Sequence, residues 1–271
     1  MAQEQRLNRL LLTGAAGGLG KVLRQSLKPV ARTIRNSDIA AMDPAGEGEE
    51  VVVCDLADKR AVDDLVRGCE AIVHLGGVSV ERPFEEIIGP NIAGVVHLYE
   101  GARRHGCKRV VFASSNHAIG FHKQGETLDA DSPRRPDGFY GLSKSFGEDV
   151  GRFYFDRYGI ESACLRIGSS FPEPKDRRML VTWLSYEDLA GLVRACLFAP
   201  KLGHTVVYGA SANRETWWDN SKVPHIDWTP KDSSEQFRTK VEQQHPALDP
   251  SDPARKFQGG GYVKMGPWET P

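Results

Sequence analysis

Leu10-Leu11-Leu12-Thr13-Gly14-Ala15-Ala16-Gly17-Gly18-Leu19-Gly20 is the stretch that decides the fold of this 271-residue chain. An apolar run ends in glycines, and helical spacing resumes at Val22, Leu23 and Leu27. The pattern predicts a buried strand, a tight turn, and a helix whose first turn carries almost no side chains. First-turn N–H groups lack partners inside their helix and sit at the positive end of its dipole, so they form an anion site. Glycine lets a pyrophosphate approach the backbone and lets the helix pack closely on the strand. The spacing is G-x-x-G-x-x-G at Gly14, Gly17 and Gly20, with Gly18 and Leu19 filling the turn. Its first gap is one residue longer than in the commoner dinucleotide fingerprint.

In such a site an acidic residue about 20 positions on holds the adenosine ribose. Asp38 closes the strand-like stretch 31–37 and takes that place. A carboxylate accepts hydrogen bonds from a ribose diol and repels a 2′-phosphate. NAD is therefore expected rather than NADP, with Arg35 the nearby cation that argues the other way.

The chain is long enough for one large α/β domain, and its net charge of −1 gives no reason to expect nucleic acid or an acidic membrane surface. Cys54, Cys69, Cys107, Cys164 and Cys196 are scattered and never form C-x-x-C, which reads as reduced, mostly buried thiols and no metal site. The polar start lacks the pattern of a signal peptide, and no apolar run approaches about 20 residues. A cytoplasmic, soluble protein is expected, with no membrane partner.

Strands and helices alternate after the glycine turn. Residues 50–54, 71–75, 108–113 and 161–167 read as strands, and Pro83 opens a helical pattern that stops near Gly106. Continuous apolar strands alternating with helices predict a doubly wound parallel sheet, a Rossmann fold, covered on both faces. Ligands bind such sheets at the carboxyl ends of the strands. Those ends carry Asp55-Leu56, placed to meet an adenine or to cap the next helix, then Leu75-Gly76-Gly77-Val78-Ser79, Ser115-Asn116-His117, and Ile167-Gly168-Ser169. Beyond residue 170, a helix over 187–197 and a strand over 205–208 precede a tryptophan-rich loop (213–228), a short helix (235–242) and a glycine-rich run (258–262) that could pack on a neighbour or on the chain itself. The chain divides into a dinucleotide-binding core, 1–170, and a small substrate-binding extension, 171–271, within one compact unit.

Tyr140 and Lys144 stand four residues apart, one turn on one helical face. A free tyrosine has a pKa of about 10 and supplies little phenolate at neutral pH. A neighbouring ammonium is expected to lower that value toward a general base. Lys144 can also donate to the nicotinamide ribose, and Ser115 can hold the oxygen being oxidised.

Gly14/Gly17/Gly20, Asp38, Asp55-Leu56, Ser115 and Tyr140/Lys144 together resemble the extended short-chain dehydrogenase/reductase superfamily. More narrowly, the segments beginning at His74, Phe112 and Pro172, with Gly209-Ala210-Ser211-Ala212-Asn213 and Trp217-Trp218-Asp219-Asn220, are similar to uronate dehydrogenases. That resemblance implies NAD-dependent oxidation of the anomeric carbon of glucuronate or galacturonate to an aldarolactone. It also lifts Arg178, otherwise a surface arginine beside Arg177, to the partner of the substrate carboxylate. Ser79, Ser115, Asn116, His117 and Ser169 could serve the sugar hydroxyls. Members of the superfamily often pair through the tyrosine-bearing helix, so a homo-oligomer is expected, with Val150, Phe153 and Tyr154 forming either that face or core. The alternative is a nucleotide-sugar epimerase with tightly bound NAD; a further rival is a non-catalytic NAD-sensing regulator.

Overall fold

The computed structural model describes residues 6–266 and 268. Seven parallel strands form one sheet in the order β3-β2-β1-β4-β5-β6-β7. They are β1 (Leu7–Thr13), β2 (Ala31–Asp38), β3 (Glu49–Val53), β4 (Ala71–His74), β5 (Arg109–Ser115), β6 (Glu161–Ile167) and β7 (His204–Gly209). Alternation along β1 shows why both faces are covered. Leu10 and Leu12 pack with Leu23 of α1 (Gly18–Ser26), with its C-cap Leu27, and with Leu189, Leu192 and Val193 of α7 (Tyr186–Phe198). Leu11 points the other way, into a cluster with α2 (Lys59–Val66), α4 (Gly94–His105) and α5 (Phe139–Tyr158). A strand buried on both sides reads as a continuous apolar run, and Leu10-Leu11-Leu12 is one.

Pro83 stands as the N-cap of α3 (Phe84–Ile87) rather than inside it, and a π-helical stretch, Ile88–Ala93, carries the chain into α4. Gly106 ends α4 with φ 73°, the left-handed cap that glycine adopts without strain. The cap of α2 is Asp58, whose carboxylate accepts from the Arg60 and Ala61 N–H groups. Asp55 is thus left out of the capping role that its sequence position allowed. On α5, Val150 and Tyr154 are core, and Phe153 is half exposed.

The sheet does not end with the core predicted from the first 170 residues: β7 extends it. After β7 come the packed loop holding the buried pair Trp217-Trp218, then α8 (Arg238–Gln244) and α9 (Pro253–Lys256), with α6 (Met179–Thr182) lying earlier, between β6 and α7. All five cysteines are free and buried. Among the described residues no helix is long and apolar enough to cross a membrane.

Candidate active site

The strand order reverses between β1 and β4, and a cleft of about 1140 Å³ opens at the carboxyl ends of the strands there. One wall is the glycine turn. Gly14 has φ 72°, and a Cβ on it would lie 2.7 Å from the Leu75 carbonyl carbon. A Cβ on Gly20 would lie 2.0 Å from the Gly14 oxygen, so neither position takes a side chain. Gly18 differs: a Cβ there would meet nothing within 4 Å, and the residue lines the cleft. Gly17 and Leu19 line it too, and α1 starts at Gly17 without a side-chain cap. Its first N–H groups are left to an anion. Asp38 accepts from Ala16 N (2.9 Å) and Ala40 N (3.0 Å), which ties the turn to the end of β2. Asp55, Leu56, Leu75, Gly76, Gly77 and Ile167 complete this half. The set fits a dinucleotide. Arg35 takes no part, because it is bound to Glu50 and to the carbonyls of Leu65 and Arg67 on the opposite side of its strand.

Tyr140, Lys144 and Ser115 meet at the centre of the cleft. Glu81 positions the tyrosine from 59 residues away, its two carboxylate oxygens accepting the Phe139 N–H (2.9 Å) and the Tyr140 N–H (2.8 Å). This is an N-terminal cap for α5 supplied by a distant loop. Burial pushes the Tyr140 phenol above its ordinary value, and the facing Ser115 hydroxyl pulls it back. The expectation that Lys144 lowers the tyrosine is therefore corrected. Lys144 Nζ lies 5.6 Å from the Tyr140 ring centroid and 5.0 Å over the Phe112 ring, and burial pulls its own value down to about 8. Burial, which disfavours both charged forms, is the largest cause at each group.

The far end of the cleft is built around Arg178. Its Nε donates to the Gln258 carbonyl and its Nη1 to Ser169 Oγ (3.4 Å). The Asn116 amide completes the set: in the orientation that satisfies both its ends, its oxygen accepts from Arg178 Nη2 and its nitrogen donates to the Ile167 carbonyl (3.1 Å). Arg178 makes no salt bridge among the described residues, and burial lowers its pKa. Ser79, exposed, lines the entrance. His117 joins Asp137 through Nδ1 (2.7 Å) and stands edge-on to Tyr140, with centroids 5.8 Å apart.

Sequence reasoning missed four of these parts: Glu81, Asp137, Gln258 and Tyr262. The glycine-rich run 258–262 folds back over the site, the Gly259 N–H reaching the Gly120 carbonyl (2.8 Å) and the Tyr262 ring stacking on His117 at 3.7 Å. Its one sequence signal was the glycine cluster itself. Asp137 had a signal as well, standing two residues before α5 where polar residues cap helices.

Comparison with known proteins agrees with this geometry. Residues 10–185 match the NAD dependent epimerase/dehydratase family. A uronate dehydrogenase from Pseudomonas syringae pv. tomato is 64% identical over 262 residues, covering 96% of this chain and 95% of that one. The crystal structure of a glucuronic acid dehydrogenase from Chromohalobacter salexigens superposes with a TM-score of 0.94 at 54% identity, covering 96% of this chain and 98% of that one. A tyrosine-to-alanine mutant of the uronate dehydrogenase from Agrobacterium tumefaciens, complexed with NAD, gives a TM-score of 0.95 at 52% identity, covering 97% of this chain and all (100%) of that one. The chain belongs to the NAD dependent epimerase/dehydratase family and, within it, to the uronate dehydrogenases. It is an oxidoreductase with NAD as cofactor.

Proposed function

We propose that the protein oxidises the anomeric carbon of cyclic hexuronates, glucuronate and galacturonate, to the aldarolactone, with Tyr140 as general base. The observation that carries the substrate class is Arg178. A desolvated guanidinium without a salt bridge calls for an anionic ligand, and a carboxylate matches its planar donor fork. Residues 171–271 supply the Arg178 guanidinium, and residues 1–170 supply the cofactor side and the catalytic residues.

Gly14, Gly17, Gly18, Leu19 and Gly20 would hold the pyrophosphate, Asp38 the adenosine ribose, Asp55 and Leu56 the adenine, and Leu75, Gly76, Gly77 and Ile167 the nicotinamide half. When bound, NAD supplies the hydride acceptor. The protein's own residues then handle the sugar. Arg178, with Asn116 and Ser169, fixes the carboxylate and so sets the anomeric carbon against Tyr140. Ser115 donates to the anomeric oxygen, whose proton passes to the Tyr140 phenolate as the C1–H bond breaks. Lys144, buried beside Tyr140, donates to the nicotinamide ribose. Ser79 and His117 hold the ring hydroxyls.

Tyr140→Phe keeps the ring and removes the proton acceptor. Its kcat is expected to fall by about 10²- to 10⁴-fold, the usual share of a general base, with the NAD dissociation constant unchanged. Turnover near the parent level would remove Tyr140 from the reaction.

A further inference from the structure

We propose that Asp137 is a positioning residue that fixes His117 in the tautomer protonated at Nδ1, so that Nε2 presents a bare acceptor to the cleft and selects a substrate hydroxyl that donates. The identity of that hydroxyl's owner rests on the hexuronate reading above; the tautomer does not.

The Asp137 carboxylate is buried, and one of its oxygens takes the His117 Nδ1 at 2.7 Å while the other has no partner. Space for it is kept by three glycines from three parts of the chain. A Cβ on Gly120 or on Gly259 would lie 2.0 Å from Asp137 Oδ2, and one on Gly141 3.1 Å from Oδ1. Loop, helix and C-terminal run thus close on this carboxylate with backbone alone. The imidazole is clamped as well, with Tyr262 stacked on it at 3.7 Å and Tyr140 at its edge. The imidazole is thus held by one hydrogen bond and two aromatic neighbours.

A carboxylate can only accept, so the nitrogen facing it carries a proton. With Nδ1 committed, Nε2 is the ring's remaining polar atom, and it has no partner among the described residues while His117 lines the cleft. In the neutral ring Nε2 is then an acceptor. Burial holds the ring below its ordinary value, against the Asp137 and Glu81 carboxylates, which favour its charge, and together with the Arg178 cation, which opposes it. Arg178 offers donors to a carboxylate, and His117 offers an acceptor to a hydroxyl. The two ends of a sugar acid are thus told apart by hydrogen-bond direction as well as by charge. A site that accepts from a hydroxyl penalises an analogue lacking it, because its own buried group is then left unpaired.

The decisive test is ¹⁵N-histidine NMR of the wild-type protein at neutral pH, with the His117 signals assigned by their loss in His117→Gln. The expected spectrum shows Nδ1 protonated and Nε2 bare. Protonation at Nε2, as the other tautomer or as imidazolium, would overturn the proposal. In Asp137→Asn the charged acceptor is gone, Nε2 becomes partly protonated, and kcat/KM for hexuronate is expected to fall about 10- to 100-fold, as when a group orienting a ligating imidazole is removed. An unchanged tautomer and kcat/KM in Asp137→Asn would equally overturn it. If the wild-type spectrum is as expected and no hexuronate turns over, the functional reading fails and the tautomer stands.

Discussion

At the scale of single residues, the proposed chemistry rests on side chains whose surroundings oppose their charged forms. Tyr140 and Lys144 are both desolvated, and burial pulls Arg178 down although the Asp176 and Asp137 carboxylates act the other way. Such groups wait for ligands that supply the missing partner. Arg178→Ala is therefore expected to raise KM for hexuronate steeply while leaving NAD binding intact, and steady-state kinetics with both substrates varied would show it. Tyr140, Lys144, Ser115 and Asp38 were legible in the sequence because their signals are local: a four-residue helical spacing, a strand end, a fixed offset from the glycine turn. Asp137, Glu81 and Tyr262 were not, because each acts on a residue far along the chain. Glu81 meets the Tyr140 N–H across 59 residues, and no periodicity announces such a contact.

At the scale of elements, two devices hold the site in shape. One is the run following α9, which grips Arg178 through the Gln258 carbonyl. Gly260 is the weak point of that grip. It has φ +61°, and a Cβ there would lie 2.5 Å from Arg178 Cδ. Gly260→Ala should displace the guanidinium and raise KM for hexuronate with little change in the NAD dissociation constant; equal kinetics for both substrates would contradict the strap's role. The sequence marked this run as glycine-rich but said nothing of where it packs, since Gln258 meets Trp218 40 residues upstream and Arg178 80 residues upstream. The other device lies under β5 and β6. Glu148 of α5 accepts from Ser114 Oγ (2.6 Å) and from Arg166 Nε (2.9 Å) and Nη2 (2.8 Å), and Arg166 Nη1 donates to the Tyr208 hydroxyl (2.9 Å). Both members of the pair are buried. Glu148→Ala leaves the Arg166 cation unpaired, a loss of about 3–5 kcal/mol that denaturant unfolding would register. The strand positions themselves were read correctly from their apolar runs. The charges inside them, Arg166 above all, were invisible to a reading that expects only hydrophobic groups there.

At the scale of the whole molecule, stability should depend on pH through a group the chemistry does not use. His74, at the end of β4, is buried, bound to Thr13 Oγ1 (2.7 Å), and pushed down to about 3 from an ordinary 6.5 by burial and then by the Lys144 charge. The unfolded chain binds this proton first, so the contribution of His74 is complete above pH 6.5 and is lost as pH falls toward 3. Thermal midpoints measured across that window should drop with acid in the parent and drop less in His74→Gln. The parallel sheet and a ligand cleft at the carboxyl ends of its strands followed from alternating apolar runs and one glycine turn; the strand order did not. The seventh strand extends the sheet, and the C-terminal run closes over the cleft and holds Arg178 through the Gln258 carbonyl. The most direct measurement is NADH absorbance with purified protein, NAD, and glucuronate or galacturonate, run beside glucose and galactose. Turnover on the two acids and none on the neutral sugars, with the acid activity lost in Arg178→Ala, is the predicted result. Equal turnover on the neutral sugars, or acid turnover undiminished in Arg178→Ala, would contradict it.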